Sequence, residues 1–198
     1  MKNLLSDENI DLAIQYALGN DSVFENLDPG YRNLLLAMLS DNNSSTLREA
    51  MVLRMLNYTS YTEKHGMDGY CPLTGKQKEV KPKFIVEGQK IGANSGNFND
   101  MTNELLDKKD GCDVICAGFH EGRFLYVIEI PYEVIKPKLK TRVDSARIGK
   151  RVVCEFGYKI YDHDSLQIKY LNENLIAETN SISKPHFDML KKRYNALT

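Results

Sequence analysis

The stretch Asp68-Gly69-Tyr70-Cys71-Pro72-Leu73-Thr74-Gly75-Lys76-Gln77-Lys78-Glu79-Val80-Lys81 decides the fold. An acid is followed by a short connection rich in turn formers, and then by an acid and a lysine two positions apart. Side chains alternate along a strand. If Glu79-Val80-Lys81 is extended, Glu79 and Lys81 therefore share one face and Val80 points into a core on the other. The stretch predicts a strand from Lys78 to Val86, interrupted for pairing at Pro82, with Asp68 at hairpin distance from it.

Working outward, the first sixty residues read as helices. Ser6 is placed to cap one, with Asp7 and Glu8 in its first turn and Ile10, Ala13, Ile14 and Ala17 at helical spacing. Asp28-Pro29 starts a second, with Leu35, Met38 and Leu39 on one face. A third follows the polar run 41–45, where Thr46 and Glu49 have capping-box spacing. After Lys81 the turn formers of 92–100 predict a loop, and Asp100 is placed to cap a short helix through Lys108. Strands are expected at Cys112 to Phe119 and Arg123 to Ile130, joined by Glu121-Gly122. Val152 to Tyr161 and Leu166 to Tyr170 read as a further hairpin. A last helix begins at Ser183, with Phe187, Leu190 and Tyr194 on one face. This order predicts one domain over 1–198, of class α/β (α+β): a helical region over 1–62, then over 63–198 one mixed sheet with helices on its faces.

Composition narrows the function classes. No apolar run approaches membrane-spanning length and the N-terminus lacks a signal pattern, so a cytoplasmic protein without a membrane partner is expected. Cys71, Cys112, Cys116 and Cys154 read as reduced thiols. Cys112, Cys116 and His120 would share a face, but without the paired spacing of a zinc site. A net charge of −1 hides an asymmetry: residues 1–30 carry six acids and one base, and residues 136–151 seven bases and one acid. A polyanion would meet one face only.

Hydrolysing a phosphodiester requires charge neutralisation, an activated water and help for the leaving oxygen. Magnesium is a hard ion that binds one or two carboxylates plus water and phosphate oxygens. Asp68 and Glu79 supply the carboxylates, the Val80 carbonyl a third donor, and Lys81 a group to orient or deprotonate the attacking water.

Asp68 followed by Glu79-Val80-Lys81 resembles the PD-(D/E)xK nucleases, the fold of most type II restriction endonucleases, with Met67 where the motif's proline would stand. The resemblance covers residues 68–81, and the element order matches loosely to about Ile130. It implies a restriction-endonuclease-like fold, Asp68 and Glu79 as metal ligands, Lys81 as the water-activating residue, and Mg2+-dependent cleavage of double-stranded DNA to a 5′-phosphate. Enzymes of this fold often carry another acid on a preceding helix. Glu49 is the first candidate and Glu63 the second, with helix capping the alternative for Glu49. Asn94, Asn97 and Asn99 are candidates for reading bases. Lys138, Lys140, Arg142, Arg147, Lys150 and Arg151 are candidates for phosphate contacts. Lys191, Lys192 and Arg193 read instead as complements to the last helix's negative end.

A homodimer suits cleavage of both strands at a palindromic site. The alternatives are a structure-specific phage or repair nuclease of the same fold, a non-catalytic nucleic-acid-binding protein, and a zinc-stabilised module. A rival pair, Asp113 and Glu129, lies on neighbouring predicted strands. Pro131 stands where that motif would need its lysine, so the pair reads as structural.

Overall fold

The N-terminal helices begin where their capping residues lie. In the computed structural model, which describes residues 6–41, 44–61, 66–85, 94–146, 152–157, 163–180 and 182–196, α1 (Asp7–Ala17) starts at Ser6, whose hydroxyl accepts the Asn9 N–H at 3.4 Å. Asp28 accepts the N–H groups of Gly30 and Tyr31 at 3.0 and 3.1 Å to open α2 (Pro29–Ser40), with Pro29 where a missing N–H leaves no bond unmade. α3 (Ser45–Met55) begins at Ser44, so Thr46 lies inside the first turn rather than at the cap. Arg54 of α3 grips Asp11 of α1 at 2.5 and 2.6 Å and ties the two helices together.

The strands β1 (Thr59–Ser60), β2 (Gly69–Tyr70), β3 (Gln77–Phe84), β5 (Asp113–His120), β6 (Arg123–Pro131) and β8 (Gln167–Leu171) form one mixed sheet in that order. Only the β3–β5 pair is parallel. Its crossover carries β4 (Asn94–Met101) and α4 (Asn103–Lys108). β5 and β6 are buried on both faces, as their unbroken apolar runs require. Their two-residue turn puts Glu121 and Gly122 at φ +46 and +80, matching the strand twist. The class is therefore mixed α and β, as expected.

Two apolar layers flank the sheet. Val80, Ile115, Ala117 and Val127 pack under Leu35, Leu39, Met51 and Val52 of the N-terminal helices. Cys112, Val114, Cys116 and Ile128 pack on the other side against Phe98, α5 (Tyr132–Asp144) and the C-terminal helices α6 (Glu173–Thr179) and α7 (Lys184–Asn195). Among the described residues no helix is long and apolar enough to cross a membrane.

Several local expectations fail for physical reasons. The turn formers of 94–100 do not make a loop: they lie in β4, which pairs with β7 (Val152–Gly157). Burial of Phe98 and Met101 overrides their propensity. They occupy the register shifts instead, and Asp100 takes φ +54 between Phe98 and Met101. Asp100 is therefore a strand residue, and Thr102 caps α4, accepting the Leu105 N–H at 3.2 Å. β7 and β8 do not form the expected hairpin, because β8 pairs with β6. The basic run begins as a helix, α5, despite the interior Pro137. Tyr132, Ile135, Leu139 and Val143 supply a buried face that outweighs the lost hydrogen bond.

Candidate functional site

Asp68 stands where the β2–β3 ladder ends. Its backbone N–H donates to the Lys78 carbonyl at 3.0 Å. Its carboxylate accepts the Val80 N–H at 2.6 Å, taking the place of a neighbouring strand. The two bonds bracket Glu79. The N–H and C=O of a strand residue leave by the same edge, so the Val80 carbonyl also faces the edge where Asp68 stands. The expected alternation holds: Val80 is buried beneath the N-terminal helices, and Glu79 and Lys81 project from the opposite face.

Glu79 is 6 % exposed and accepts two ammonium groups, Lys81 at 2.5 Å and Lys109 at 2.6 Å. Both ammonium groups lie over the Phe98 ring, 4.5 and 5.5 Å from its centroid. Lys109 follows α4 and is brought in by the crossover. It lies 28 residues beyond Lys81, and no spacing in the sequence marks it. Burial pushes the Glu79 carboxyl up, but Lys81 and Lys109 more than offset this and hold it below the usual range. Asp68 goes the other way. Burial and then the charge of Glu79 raise it, against the Val80 N–H and the two lysines. The Cys112 thiol, buried beside the same charge, is pushed up to about 12.

Two neighbouring carboxylates, of which Glu79 raises Asp68, with a backbone carbonyl on the same edge, make a hard oxygen donor set. Such a set fits a magnesium ion that keeps several of its waters. Among the described residues there is no group of three or more His, Cys, Asp and Glu placed to hold a metal. Cys112, just before β5, and Cys116 within it belong to the same apolar layer, but four residues of extended chain hold them about 13 Å apart, too far to share zinc. His120 is engaged with the Ile85 carbonyl at 2.9 Å.

The remaining candidates are placed as follows. Glu49 is a half-buried residue of α3, whose buried side packs on the Val80 face rather than the Glu79 face. Asn97 and Asn99 are exposed on β4, on either side of the buried Phe98. Asn94 belongs to the same strand, opposite Gly157 of β7. Lys138, Lys140 and Arg142 are exposed on α5. Lys140 pairs with Asp144 at 2.9 Å, and Lys136 on the same helix is drawn to Asp107 and Asp110 at 2.8 and 2.7 Å. Glu63, Arg147, Lys150 and Arg151 lie outside the described residues.

A second polar cluster occupies the other face at the same end of the sheet. The pair Asp113 and Glu129 does have a lysine, supplied from β3. Lys78 lies between them at 2.6 and 2.5 Å and is 4 % exposed. Lys76 extends the chain from Asp113 at 2.6 Å, and Lys169 from Glu129 at 3.2 Å. The Tyr58 hydroxyl donates to Glu129 at 3.1 Å. The burial of Lys78 follows from the β3–β5 register, which no spacing in the sequence marks. No protein-family model matches this chain, and no curated protein matches it.

Proposed function

We propose that this chain is a magnesium-dependent endonuclease acting on double-stranded DNA in the cytoplasm, with the character of a type II restriction enzyme of the PD-(D/E)xK group. The observation that carries this reading is the Asp68 carboxylate bound to the Val80 N–H beside Glu79, with Lys81 on the Glu79 face. Magnesium, when bound, supplies charge neutralisation at the phosphate and a more acidic water. Asp68, Glu79 and the Val80 carbonyl are the groups to hold it. Lys81 orients the attacking water and offsets developing negative charge, and Phe98 fixes the position of its ammonium. Lys109 keeps Glu79 ionised, and together with Lys81 it balances the charges of Asp68 and Glu79, so the site does not repel a phosphodiester.

The test is incubation of supercoiled plasmid with purified protein, with and without magnesium. Cleavage that requires magnesium and is lost in Glu79→Ala and Lys81→Ala is expected, with a fall of about 10²–10⁴ in rate for the lysine. Discrete fragments support site specificity, and a smear supports the structure-specific alternative. If either variant cuts at the wild-type rate, the site assignment is wrong.

A further inference from the structure

The groove on the far face of the sheet has a composition that a structural salt bridge alone does not need. It has a volume of about 260 Å³ and is lined by the charged cluster together with Thr74, Ser165 and Gln167. The charges alternate along a chain, Lys76–Asp113–Lys78–Glu129–Lys169, with cations at both ends. Each acid inside the chain is capped from two sides. Asp113 lies between Lys76 and Lys78, and Glu129 accepts from Lys78, Lys169 and Tyr58. The central lysine is enclosed, whereas the terminal ones open outward, Lys76 with 40 % and Lys169 with 28 % of its side chain exposed. The sum is one positive charge. The Gln167 carbonyl oxygen accepts from Lys169 at 2.7 Å, so the part this side chain has left to offer a ligand is its amide N–H donors. Thr74 and Ser165 add hydroxyl donors. The groove thus presents donors and cations to a ligand and keeps its carboxylates covered, which is how a protein receives an anion.

Its position narrows the anion. Lys78 and Glu79 are consecutive on β3 and point to opposite faces, so the groove and the candidate active site share one end of the sheet. We propose that this groove is a phosphate-binding cleft that holds the nucleic-acid backbone beside the candidate active site, an inference that takes its ligand, polynucleotide, from the nuclease reading. Lys76 and Lys169 make the phosphate contacts, Thr74, Ser165 and Gln167 complete the hydrogen bonding, and the buried Lys78 sets the spacing of the two.

Fluorescence anisotropy of a labelled DNA duplex, titrated in EDTA at several salt concentrations, tests this without cleavage. The combined Lys76→Gln, Lys169→Gln protein is expected to bind roughly tenfold more weakly, with the slope of log affinity against log salt reduced by about 2. The Lys76→Arg, Lys169→Arg protein is expected to retain binding. Ser165→Glu leaves the buried network intact and brings a negative charge to the groove mouth. It is expected to weaken binding as well, which covers the case in which the glutamine variant fails to fold. Unchanged affinity and slope in the glutamine and Ser165→Glu variants overturn the proposal. So does a wild-type protein that ignores the duplex but is stabilised against heat by inorganic phosphate, which would make the groove a site for the free anion. Unchanged binding in the variants leaves the nuclease reading untouched, and the Glu79 and Lys81 cleavage assays decide that reading separately.

Discussion

At Asp68 the ladder hydrogen bond and the negative charge pull in opposite directions. The carboxylate is needed as an acceptor for the Val80 N–H, yet burial and Glu79 raise its pKa, so folding disfavours its ionised form. The sign follows directly. A carboxyl raised in the folded state gains stability as pH falls through that raised value, and above it the charge works against folding. Asp68→Asn keeps an acceptor oxygen for Val80 and removes the charge. It is expected to melt at a higher temperature than wild type at pH 7 and to lose magnesium-dependent cleavage. A lower melting temperature with retained cleavage would mean that the Asp68 charge is neither strained nor used. Glu79 has the opposite balance, since Lys81 and Lys109 favour its charge. Two adjacent acids with oppositely shifted pKa values are a common mark of a functional site.

The strand β3 carries both clusters, so its register positions both. Lys78 ties it to β5 through Asp113 and to β6 through Glu129. Burial pushes the Asp113 carboxyl up, but Lys76 and Lys78 outweigh it and hold it below the usual range. That stability is present above the unfolded carboxylate value of about 3.9 and is lost as pH falls through the lower folded value. Lys78→Met leaves two buried carboxylates short of a partner and is expected to cost about 3 kcal/mol in urea unfolding at pH 7. Its deficit should shrink below about pH 4, as protonation of Asp113 takes the Lys78 pairing away from the wild type. A variant as stable as wild type at pH 7 would show that Lys78 is not the tie. At the β1–β2 edge, a Cβ on Gly69 would lie 2.4 Å from the Thr59 carbonyl oxygen and 2.9 Å from Leu53. Gly69→Ala is therefore expected to cost about 1–3 kcal/mol and, by moving Asp68, to weaken magnesium binding measured by calorimetry. The parts of these elements legible in the sequence were those set by local chemistry: the Ser6 and Asp28 caps, the alternation at Glu79-Val80-Lys81, and the β5–β6 hairpin. The illegible parts depend on distant partners. β4 is a strand because Phe98 and Met101 find a core. β8 pairs with β6 across a long connection. Lys109 reaches Glu79 only through the crossover, and Lys78 finds its acids only through the β3–β5 register.

For the whole molecule, the proposed nuclease function turns on how many candidate clusters one chain brings. Each chain carries a single Asp68–Glu79–Lys81 group, and a duplex has two antiparallel strands related by local two-fold symmetry. On the proposed function, one cluster would cut one strand in a given orientation, so a two-strand break in one binding event would need two chains related by the same symmetry. The charge asymmetry suits such a pair. The acidic helix α1 lies on one face of the sheet and the basic surface of α5 on the other, so two copies can join through one region while another meets the polyanion. We therefore expect a homodimer, and mixing tests it more sharply than mass alone. Wild-type protein and Glu79→Ala protein, co-refolded so that subunits exchange, should give mixed pairs with one working cluster each. These should cut one strand, and nicked circular plasmid should accumulate beyond the amount formed by the same quantity of wild type alone. A monomer would give the opposite result. The inactive variant would then act only as a competitor, slowing nicked and linear products together and leaving their ratio unchanged. Sedimentation equilibrium on the same samples would separate the two cases independently, by reading one chain mass or two.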